Sequence, residues 1–291
     1  MRYRFLRFPG GLYKAVTLSY DDGCKADIRF SETIGSYGLK CTFNINSGYI
    51  AEKEGEWHLT REQIKKYLID TGNEIAVHGK YHCAPGMQLP IDGIRDALDC
   101  RLELERDFGK IIRGMAYPDC GITRFENGAE YSSIKHYLTD LGIVYSRTLA
   151  GDNDRFELPS DWHSWMPTAH HSNPDLFKYI DKFLNTPMTD YLAAQRPRLF
   201  YLWGHSYEFD ENNNWDLLEE ICNGLSGKTD VWYATNIEIY DYVSAYRSLI
   251  FSADGSIVYN PTLITVWFTV DGELYSVKSG ETLNVRKSEV S

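Results

Sequence analysis

Long apolar runs, abundant glycine and proline, and closely spaced cysteines are all missing from this sequence of 291 residues. No stretch approaches the roughly 18 consecutive apolar residues of a membrane span, so no membrane-spanning helix is predicted. The 23 glycines and 10 prolines are too few for a collagen-like or low-complexity chain. With 43% apolar and 24% charged residues, the composition is that of a globular protein that can bury a large core.

Basic residues are also scarce relative to acidic ones, with 30 Lys and Arg against 41 Asp and Glu and a net charge of −11. Nucleic acid and anionic membrane surfaces would repel such a chain, so we expect neither as a partner. The balance favours a neutral or cationic partner, or a small molecule.

The six cysteines are scattered and include no CxxC pair, which is typical of reduced thiols in a cytosolic protein of this size. The N-terminal segment MRYRFLRFPGG carries three arginines and lacks the apolar run of a secretory signal. We therefore expect a cytoplasmic location.

Short apolar segments alternate with amphipathic ones along most of the chain. Val, Ile, Thr and aromatic residues mark the candidate strands, and apolar residues at helical spacing mark the segments between them. At one helix start, Thr60 and Gln63 form a capping-box pattern. The predicted strands are 15–20, 41–45, 74–77, 112–117, 143–147, 165–169, 199–203 and 231–235, and the predicted helices are 26–37, one starting at 60, 91–108, one around 134–141, 174–184, 215–225 and 237–249.

This alternation predicts parallel βα units, and the number of strands suits a (β/α) barrel better than an open sheet, with closure left open. After residue 249 the pattern changes to three predicted strands, 256–259, 263–270 and 273–277, with a hairpin turn at Asp271 and Gly272. We predict an α/β fold with a main domain over residues 1–249 and a small β appendage over residues 250–291.

Polar side chains follow three of the predicted strands. Asp21 and Asp22 follow the first, His78 and His82 the third, and His205 the seventh. In a (β/α) barrel the carboxyl ends of all strands meet on one face, so these residues can converge although they are far apart in sequence. One carboxylate and two imidazoles make a metal site with open positions, which leaves a second carboxylate as base and a separate histidine as acid. This set predicts metal-assisted hydrolysis.

The same three segments resemble motifs of a known family. Residues 17–23 (TLSYDDG) resemble the TFDDG motif of the polysaccharide deacetylase (NodB-homology) family, also called carbohydrate esterase family 4. Residues 78–82 (HGKYH) resemble its H-[ST]-x-x-H motif, with Gly79 in place of the hydroxyl residue, and residues 202–205 (LWGH) resemble its L-x-x-H motif. Order and spacing agree over about residues 10–245.

The resemblance implies a distorted (β/α)7-8 barrel that removes acetyl groups from N-acetylated or O-acetylated carbohydrates. It implies that Asp22, His78 and His82 hold a divalent metal, that Asp21 is the base, and that His205 is the acid. Zinc is the default ion, and cobalt, nickel, iron or manganese also suit such a donor set. The implied enzyme is a hydrolase of C–N bonds in linear amides, and its partner is an acetylated oligosaccharide or polysaccharide.

Two further motifs match less well. The family's R-P-P-Y-G stretch corresponds best to residues 116–121 (AYPDCG), where Ala116 replaces the arginine that holds the base. Arg113 and Arg147 are the candidates to replace that arginine. By the same analogy the backbone N–H near Tyr117 would bind the oxyanion.

The family's Asp-Trp motif resembles Asp161 and Trp162, with Trp162 as a pocket wall and Asp161 tuning His205. His171 is a candidate substrate contact. Trp203, together with Trp57 and Trp165, is a candidate to stack on sugar rings, although core packing is the more usual role of a tryptophan.

Two other functions stay open at this stage. The loss of the motif arginine at Ala116 leaves room for an amidase of the same fold that opens non-sugar C–N bonds, such as those of cyclic ureides. The other is a carbohydrate-binding protein that has lost catalysis, although a pure binder needs no metal ligands, base and acid together. The sequence decides neither the carbohydrate, nor N- against O-deacetylation, nor the oligomeric state.

Overall fold

A sheet of parallel strands curved around one axis forms the centre of the molecule. The computed structural model of the chain describes residues 3–149, 152–189 and 195–285. Every strand pairing in this sheet is parallel, as the alternation of strands and helices predicts. Apart from β1 (Arg4–Arg7), the first nine strands all belong to it: β2 (Lys14–Asp21), β3 (Cys41–Ile45), β4 (Glu74–Val77), β5 (Gly114–Ala116), β6 (Tyr145–Arg147), β7 (Ala169–His170), β8 (Arg198–Gly204) and β9 (Val231–Tyr233).

Helices connect these strands and pack against the outside of the sheet. Thr60 and Gln63 form the predicted capping box, but the helix they start is a single α turn that continues as a π-helix over Ile64–Ile69. The helices are α1 (Ala26–Ser36), α2 (Arg61–Gln63), α3 (Pro90–Phe108), α4 (Tyr131–Asp140), α5 (Leu176–Asn185), α6 (Tyr207–Glu211), α7 (Trp215–Leu225) and α8 (Asn236–Arg247). Among the described residues, no helix is both long and apolar enough to cross a membrane.

The sheet is a distorted barrel, which confirms the predicted fold class. Its strands follow the order β6-β5-β4-β3-β2-β8-β7, and β9 pairs with the first residues of β2. The segment before β7 spans the gap between β6 and β8. On one side, Trp165 forms a parallel bridge to Arg147 on β6, and on the other, the Thr168 N–H donates to the Tyr201 carbonyl of β8 at 2.7 Å. This segment was predicted to be a strand over 165–169, but only Ala169–His170 has that conformation.

Strand β2 separates the polar interior of the barrel from the apolar layer under the helices. Val16, Leu18 and Tyr20 belong to the buried cluster that packs against the helices. The alternate residues face inward, where Ser19 and Asp21 both bond to Asn44. The alternation along the strand therefore points Asp21 into the barrel at the carboxyl end of β2.

The C-terminal strands form two small antiparallel sheets. They are β10 (Ile250–Phe251), β11 (Ile257–Tyr259), β12 (Val266–Val270), β13 (Glu273–Val277) and β14 (Thr282–Asn284). Asp271 and Gly272 make the predicted two-residue hairpin, with φ of 50° and 91°. The sequence did not predict that β1 pairs with β12. Residues 286–291 of the predicted appendage lie outside the described residues.

Candidate active site

The loop after β2 presents two adjacent carboxylates. Asp21 ends the strand and is buried, and Asp22 follows it with φ of 80°, a left-handed conformation that aspartate tolerates better than most residues. The Asp22 N–H donates to the Asn44 carbonyl at 3.0 Å, which fixes the loop against β3. Because Asp21 and Asp22 have different backbone conformations, their side chains point in different directions.

One ring nitrogen of His78, at the end of β4, bonds to the backbone, and the other faces Asp22. The Nδ1 of His78 lies 2.9 Å from the Ala116 carbonyl, so Nδ1 carries the proton and donates. Its Nε2 is buried, has no hydrogen-bond partner among the described residues, and lies 3.5 Å from Oδ1 of Asp22. Burial lowers the pKa of His78, and the nearby carboxylates only partly oppose this, so its imidazole stays neutral. A neutral imidazole whose unprotonated Nε2 lies beside a carboxylate has the arrangement of a metal-binding histidine.

Position 79 has a left-handed backbone conformation that favours glycine. Gly79 has φ of 71°, and a Cβ atom there would lie 2.4 Å from a carboxylate oxygen of Asp96. The hydroxyl residue that the family motif has at this place would not fit here without a shift of Asp96.

His82 completes a three-residue cluster. Its Nε2 lies 3.5 Å from Oδ1 of Asp22, the same distance as that of His78, and the His78 and His82 rings meet edge to face. The donor atoms of Asp22, His78 and His82 all lie within 4.8 Å of one another. Two imidazole nitrogens and one carboxylate oxygen fit a catalytic zinc-type site, because the remaining coordination positions are open to water and substrate.

Arg147 holds the second carboxylate, Asp21. Arg147, at the end of β6, donates to Oδ2 of Asp21, and Asn44 donates to Oδ1 at 2.8 Å. Burial raises the pKa of Asp21, but Arg147, His78 and His205 outweigh it, and the net pKa is lowered. Arg113, the other candidate to replace the motif arginine, instead pairs with Asp241 at 2.6 Å.

His205 and His78 both lie close to one oxygen of Asp21. Nε2 of His205 is 3.8 Å from Oδ2 of Asp21, while Nε2 of His78 is 3.9 Å from the same oxygen. The Nδ1 of His205 lies 2.8 Å from Oε1 of Glu208, one turn further along the chain in α6. Burial lowers the pKa of His205, but the bond to Glu208 and the charges of Asp21 and Asp22 outweigh it, so the pKa is raised.

Glu208 is a site residue that the sequence analysis missed. Its Oε2 lies 3.0 Å from Nε2 of His171 and 3.5 Å from Nε2 of His170, so three histidines surround one carboxylate. These contacts lower the pKa of Glu208 and keep it anionic despite partial burial. The only signal in the sequence was a glutamate three residues after His205, which is common in any helix.

The donor atoms of His170, His205 and Glu208 also lie close enough together to hold an ion. However, Nδ1 of His170 accepts from the Ser172 N–H at 3.2 Å, which puts the ring proton on the Nε2 that faces Glu208. The group is therefore better described as a hydrogen-bonded support for His205 than as a second metal site.

Four of the predicted substrate residues are not placed as expected. Asp161 bonds to Lys135 and Tyr131, each at 2.7 Å, and has no bond to His205. Trp162 packs on Trp165 and Tyr240, against the buried cluster that includes Leu6 of β1.

The other two are Tyr117 and His171. The Tyr117 N–H donates to the Arg147 carbonyl at 3.1 Å and is not free for an oxyanion, and its hydroxyl donates to the His163 carbonyl at 2.9 Å. His171 is buried beneath Glu208, so it supports that carboxylate instead of contacting substrate. A Cβ at Gly204 would lie 2.0 Å from the His171 ring, so His171 needs the glycine just before His205.

Trp203 does face the site. Its ring lies 4.5 Å from the Arg147 guanidinium carbon and meets His205 at a centroid distance of 5.8 Å. The ring is partly exposed, in contrast to Trp165, which is buried in the core. Trp203 therefore covers the Arg147–Asp21 pair from the solvent side.

No family model and no curated protein matches this sequence. Solved structures do match its fold. A Mycobacterium smegmatis protein assigned as a polysaccharide deacetylase matches with a TM-score of 0.54 at 16% identity, over 83% of this chain and 94% of that chain. A family 4 acetyl xylan esterase from Clostridium thermocellum, solved with a cobalt ion, matches with a TM-score of 0.46 at 13% identity, over 78% and 91%. The Streptococcus pyogenes deacetylase PplD, solved with acetate, matches with a TM-score of 0.40 at 18% identity, over 46% of this chain and 55% of that chain.

The match to the Mycobacterium smegmatis protein defines the class of fold: this chain has the distorted barrel of the polysaccharide deacetylases. The resemblance that the three sequence motifs indicate is thereby confirmed at the level of the fold. At this identity the match carries the architecture and not the reaction, so the activity of this chain has to be argued from its own residues.

Proposed function

We propose that this protein is a metal-dependent hydrolase that removes acetyl groups from an N-acetylated or O-acetylated carbohydrate. The observation that carries the proposal is that one oxygen of Asp21 lies near both the proposed metal ligand His78 and the proposed acid His205. This oxygen lies 3.9 Å from Nε2 of His78 and 3.8 Å from Nε2 of His205. Metal ligands, base and acid therefore surround one small volume.

Asp22, His78 and His82 would hold the metal through one carboxylate oxygen and two Nε2 atoms. A divalent ion bound there supplies Lewis acidity and lowers the pKa of a water toward neutrality. Zinc is the default ion, and cobalt, nickel, iron and manganese suit the same ligands. His78 is prepared for this role because its bond to the Ala116 carbonyl fixes the tautomer with Nε2 free.

Asp21 would take the proton from the attacking water. Its lowered pKa keeps it ionised at neutral pH, and Arg147 and Asn44 hold its two oxygens in place. His205 would give a proton to the leaving nitrogen or oxygen, because amines leave poorly unless they are protonated. The bond to Glu208 puts a proton on Nδ1 and raises the pKa of His205, so a protonated Nε2 is available toward Asp21.

The geometry weakens both alternative functions. The case for a ureide-type amidase rested on the missing motif arginine, and Arg147 now contacts Asp21 in its place. The case for a binder that has lost catalysis requires that a catalytic group be missing, and this chain has ligands, base and acid together. The net charge of −11 favours an uncharged oligosaccharide over an anionic one.

Acetate release from a mixed panel tests the proposal. Chitooligosaccharides, muropeptide fragments and acetylated xylan would be incubated with the protein, with added zinc or cobalt and then with a chelator. We expect chelator-sensitive acetate from one class, and its loss in Asp22→Ala and His82→Ala together with loss of bound metal. His136→Ala, an exposed histidine on α4, is the matched control and retains activity.

Acetate release that survives chelation, or full activity in Asp22→Ala, would contradict the proposal. No acetate from any member by metal-loaded protein would favour the ureide-type amidase or the binder.

A further inference from the structure

A cleft of about 340 Å³ opens beside Arg198, the first residue of β8, whereas the proposed acid His205 follows the last residue of the same strand. At about 3.3 Å per residue, the seven residues of β8 separate this cleft from the candidate active site by roughly 20 Å. We call it the arginine cleft, and its charged lining residues are Asp154, Arg155, Glu157, Lys182, Arg196 and Arg198.

Basic groups outnumber acidic ones in the arginine cleft, although the protein as a whole has a net charge of −11. Lys182 pairs with Asp154 at 2.9 Å, so these two charges offset each other. Arg196 lies 3.8 Å from Glu157, which is beyond hydrogen-bond distance, and both side chains are exposed. The two carboxylates of the lining therefore leave most of its positive charge uncompensated.

Arg155 and Arg198 have guanidinium donors that the protein does not use. Nη1 of Arg198 donates to the Arg155 carbonyl at 2.6 Å, but its Nε is buried and has no hydrogen-bond partner in the part of the chain that the structure describes. Arg155 is exposed, and its guanidinium group donates no hydrogen bond to the described residues. A buried N–H without an acceptor costs free energy, and an oxyanion in the cleft would supply acceptors.

The turn that carries Arg155 has a strained backbone. Phe156 has φ of 59°, a left-handed value that is rare for an aromatic residue. Its buried ring packs on Phe183 and Phe200 at centroid distances of 5.3 and 6.1 Å, and its carbonyl accepts from the Leu199 N–H at 2.8 Å. These contacts hold Arg155 beside the start of β8 before any ligand binds, and strain of this kind is typical of binding sites.

We propose that the arginine cleft is a second ligand site that recognises a phosphate group, either free or carried by a small molecule. A guanidinium group offers pairs of parallel N–H donors that match two phosphate oxygens, and the Nε edge of Arg198 and the whole fork of Arg155 are open for such pairing. A volume of about 340 Å³ is in the range of small-molecule pockets, so the cleft has room for more than the phosphate group. The inference does not depend on the proposed function.

Calorimetric titration of chelator-treated protein tests the proposal. Inorganic phosphate and glycerol phosphate are the two ligands, and glycerol is the uncharged control. We expect both phosphates to bind, to raise the midpoint of urea unfolding, and to do so without any effect of glycerol. Tighter binding of glycerol phosphate would assign the site to a phosphorylated organic molecule, and equal binding would assign it to the phosphate group alone.

Substitutions in the cleft give the direct evidence. In Arg155→Ala we expect both phosphates to bind about tenfold more weakly, because charge-assisted hydrogen bonds are lost. Arg198→Lys keeps the charge but loses the planar pair of donors, so about a tenfold loss is expected there too. Arg95→Ala, which replaces an exposed arginine on α3, is the matched control and binds phosphate as the wild type does.

Phosphate binding of wild-type strength in both Arg155→Ala and Arg198→Lys would overturn the proposal, as would the absence of any binding or stabilisation by either phosphate. Asp22→Ala distinguishes the arginine cleft from the candidate metal site, and we expect it to keep the phosphate affinity of the wild type. Loss of phosphate binding in Asp22→Ala but not in Arg155→Ala would place the anion at the metal ligands and would contradict a second site.

Discussion

At the scale of single residues, the proposed base and the proposed acid each depend on a partner that is distant in sequence or inconspicuous in it. Asp21 and His205 could be predicted because each follows an apolar strand within a recognisable motif. Arg147 lies 126 residues from Asp21 and reaches it only because β6 and β2 belong to one closed barrel. The expected partner of His205 was Asp161, which in fact lies against Lys135.

Replacing Glu208 is expected to change the pH dependence of the reaction. The carboxylate raises the pKa of His205, so the acid form persists above the pH at which a free histidine loses its proton. In Glu208→Gln that support is lost, the pKa falls, and the alkaline limb of kcat/KM moves to lower pH. We also expect kcat on an amide substrate to fall about tenfold on the alkaline side, because less acid is protonated.

The control for this experiment is Glu211→Gln, an exposed glutamate at the end of the same helix, α6. Its pH profile is expected to match that of the wild type. A profile of Glu208→Gln that is lowered evenly at every pH, with no displaced limb, would assign Glu208 a purely structural role.

A second buried carboxyl, Asp27 at the start of α1, is expected to make folding stability depend on pH. Burial raises its pKa from an ordinary 3.8 to about 8, and Ser206 donates to one of its oxygens at 2.6 Å. Between these two values the unfolded chain has lost the proton that the folded chain retains, so stability falls as pH rises. Asp27→Asn removes this cost and is expected to stabilise the protein by about 2 kcal/mol at pH 7.

Urea unfolding of chelator-treated protein at pH 4, 5.5 and 7 measures the effect without a cation near Asp22. The gain in Asp27→Asn should shrink as the pH falls toward 4, because this approaches the ordinary pKa of 3.8, below which the folded and the unfolded wild type are both protonated. Asp99→Asn, on the exposed face of α3, should show no such trend. A variant less stable than the wild type at pH 7 would mean that Asp27 is ionised in the folded protein.

At the scale of elements, most strands and helices could be predicted because their residues repeat with the period of the element. β3 and β4 have the predicted bounds, and so does α7. The segment at Trp165 could not be predicted, because its apolar residues are buried by the gap between β6 and β8 and not by strand pairing on both sides. Alternation of apolar and polar residues indicates a strand with one buried face. A segment that closes the gap in a barrel is buried without such an alternation.

Helix α8 is expected to depend on its N-terminal cap. The Thr235 hydroxyl accepts from the Glu238 N–H at 3.4 Å, and the Glu238 carboxylate accepts from the Thr235 N–H at 2.8 Å, which makes a capping box. Thr235→Ala should lower the free energy of unfolding by about 1 kcal/mol. Urea denaturation measures this loss of stability. The control is Thr71→Ala, which replaces an exposed threonine whose hydroxyl donates to a backbone carbonyl at a helix end. Equal stability of the two variants would show that α8 is held by packing alone.

At the scale of the whole molecule, the first strand of the described chain and two of the C-terminal strands form one small sheet. β1 pairs with β12 over residues 4–7, and β12 in turn pairs with β13. Tyr242 of α8 connects this sheet to the barrel, because its hydroxyl donates to the Arg7 carbonyl at 2.8 Å and accepts from the Trp267 N–H at 2.9 Å. β1 therefore forms one sheet with strands that follow residue 249. No local pattern in the sequence could reveal this, because strand pairing across the whole chain leaves no periodic signal.

Removal of residues 250–291 is accordingly expected to destabilise the barrel and not merely to shorten the protein. Leu6 loses its partner strand, and Ala245 and Leu249 of the α8 end lose the cover of the C-terminal cluster. Exposure of buried side chains of this size costs about 1.5–3 kcal/mol for each large one, so we expect a loss of roughly 3 kcal/mol or more in the free energy of unfolding. Urea denaturation would compare this truncation with one that removes only residues 286–291 and keeps all fourteen described strands. If both truncated proteins unfolded at the wild-type midpoint, the C-terminal strands would be an independent unit, and β1 would not need β12 to stay on the barrel.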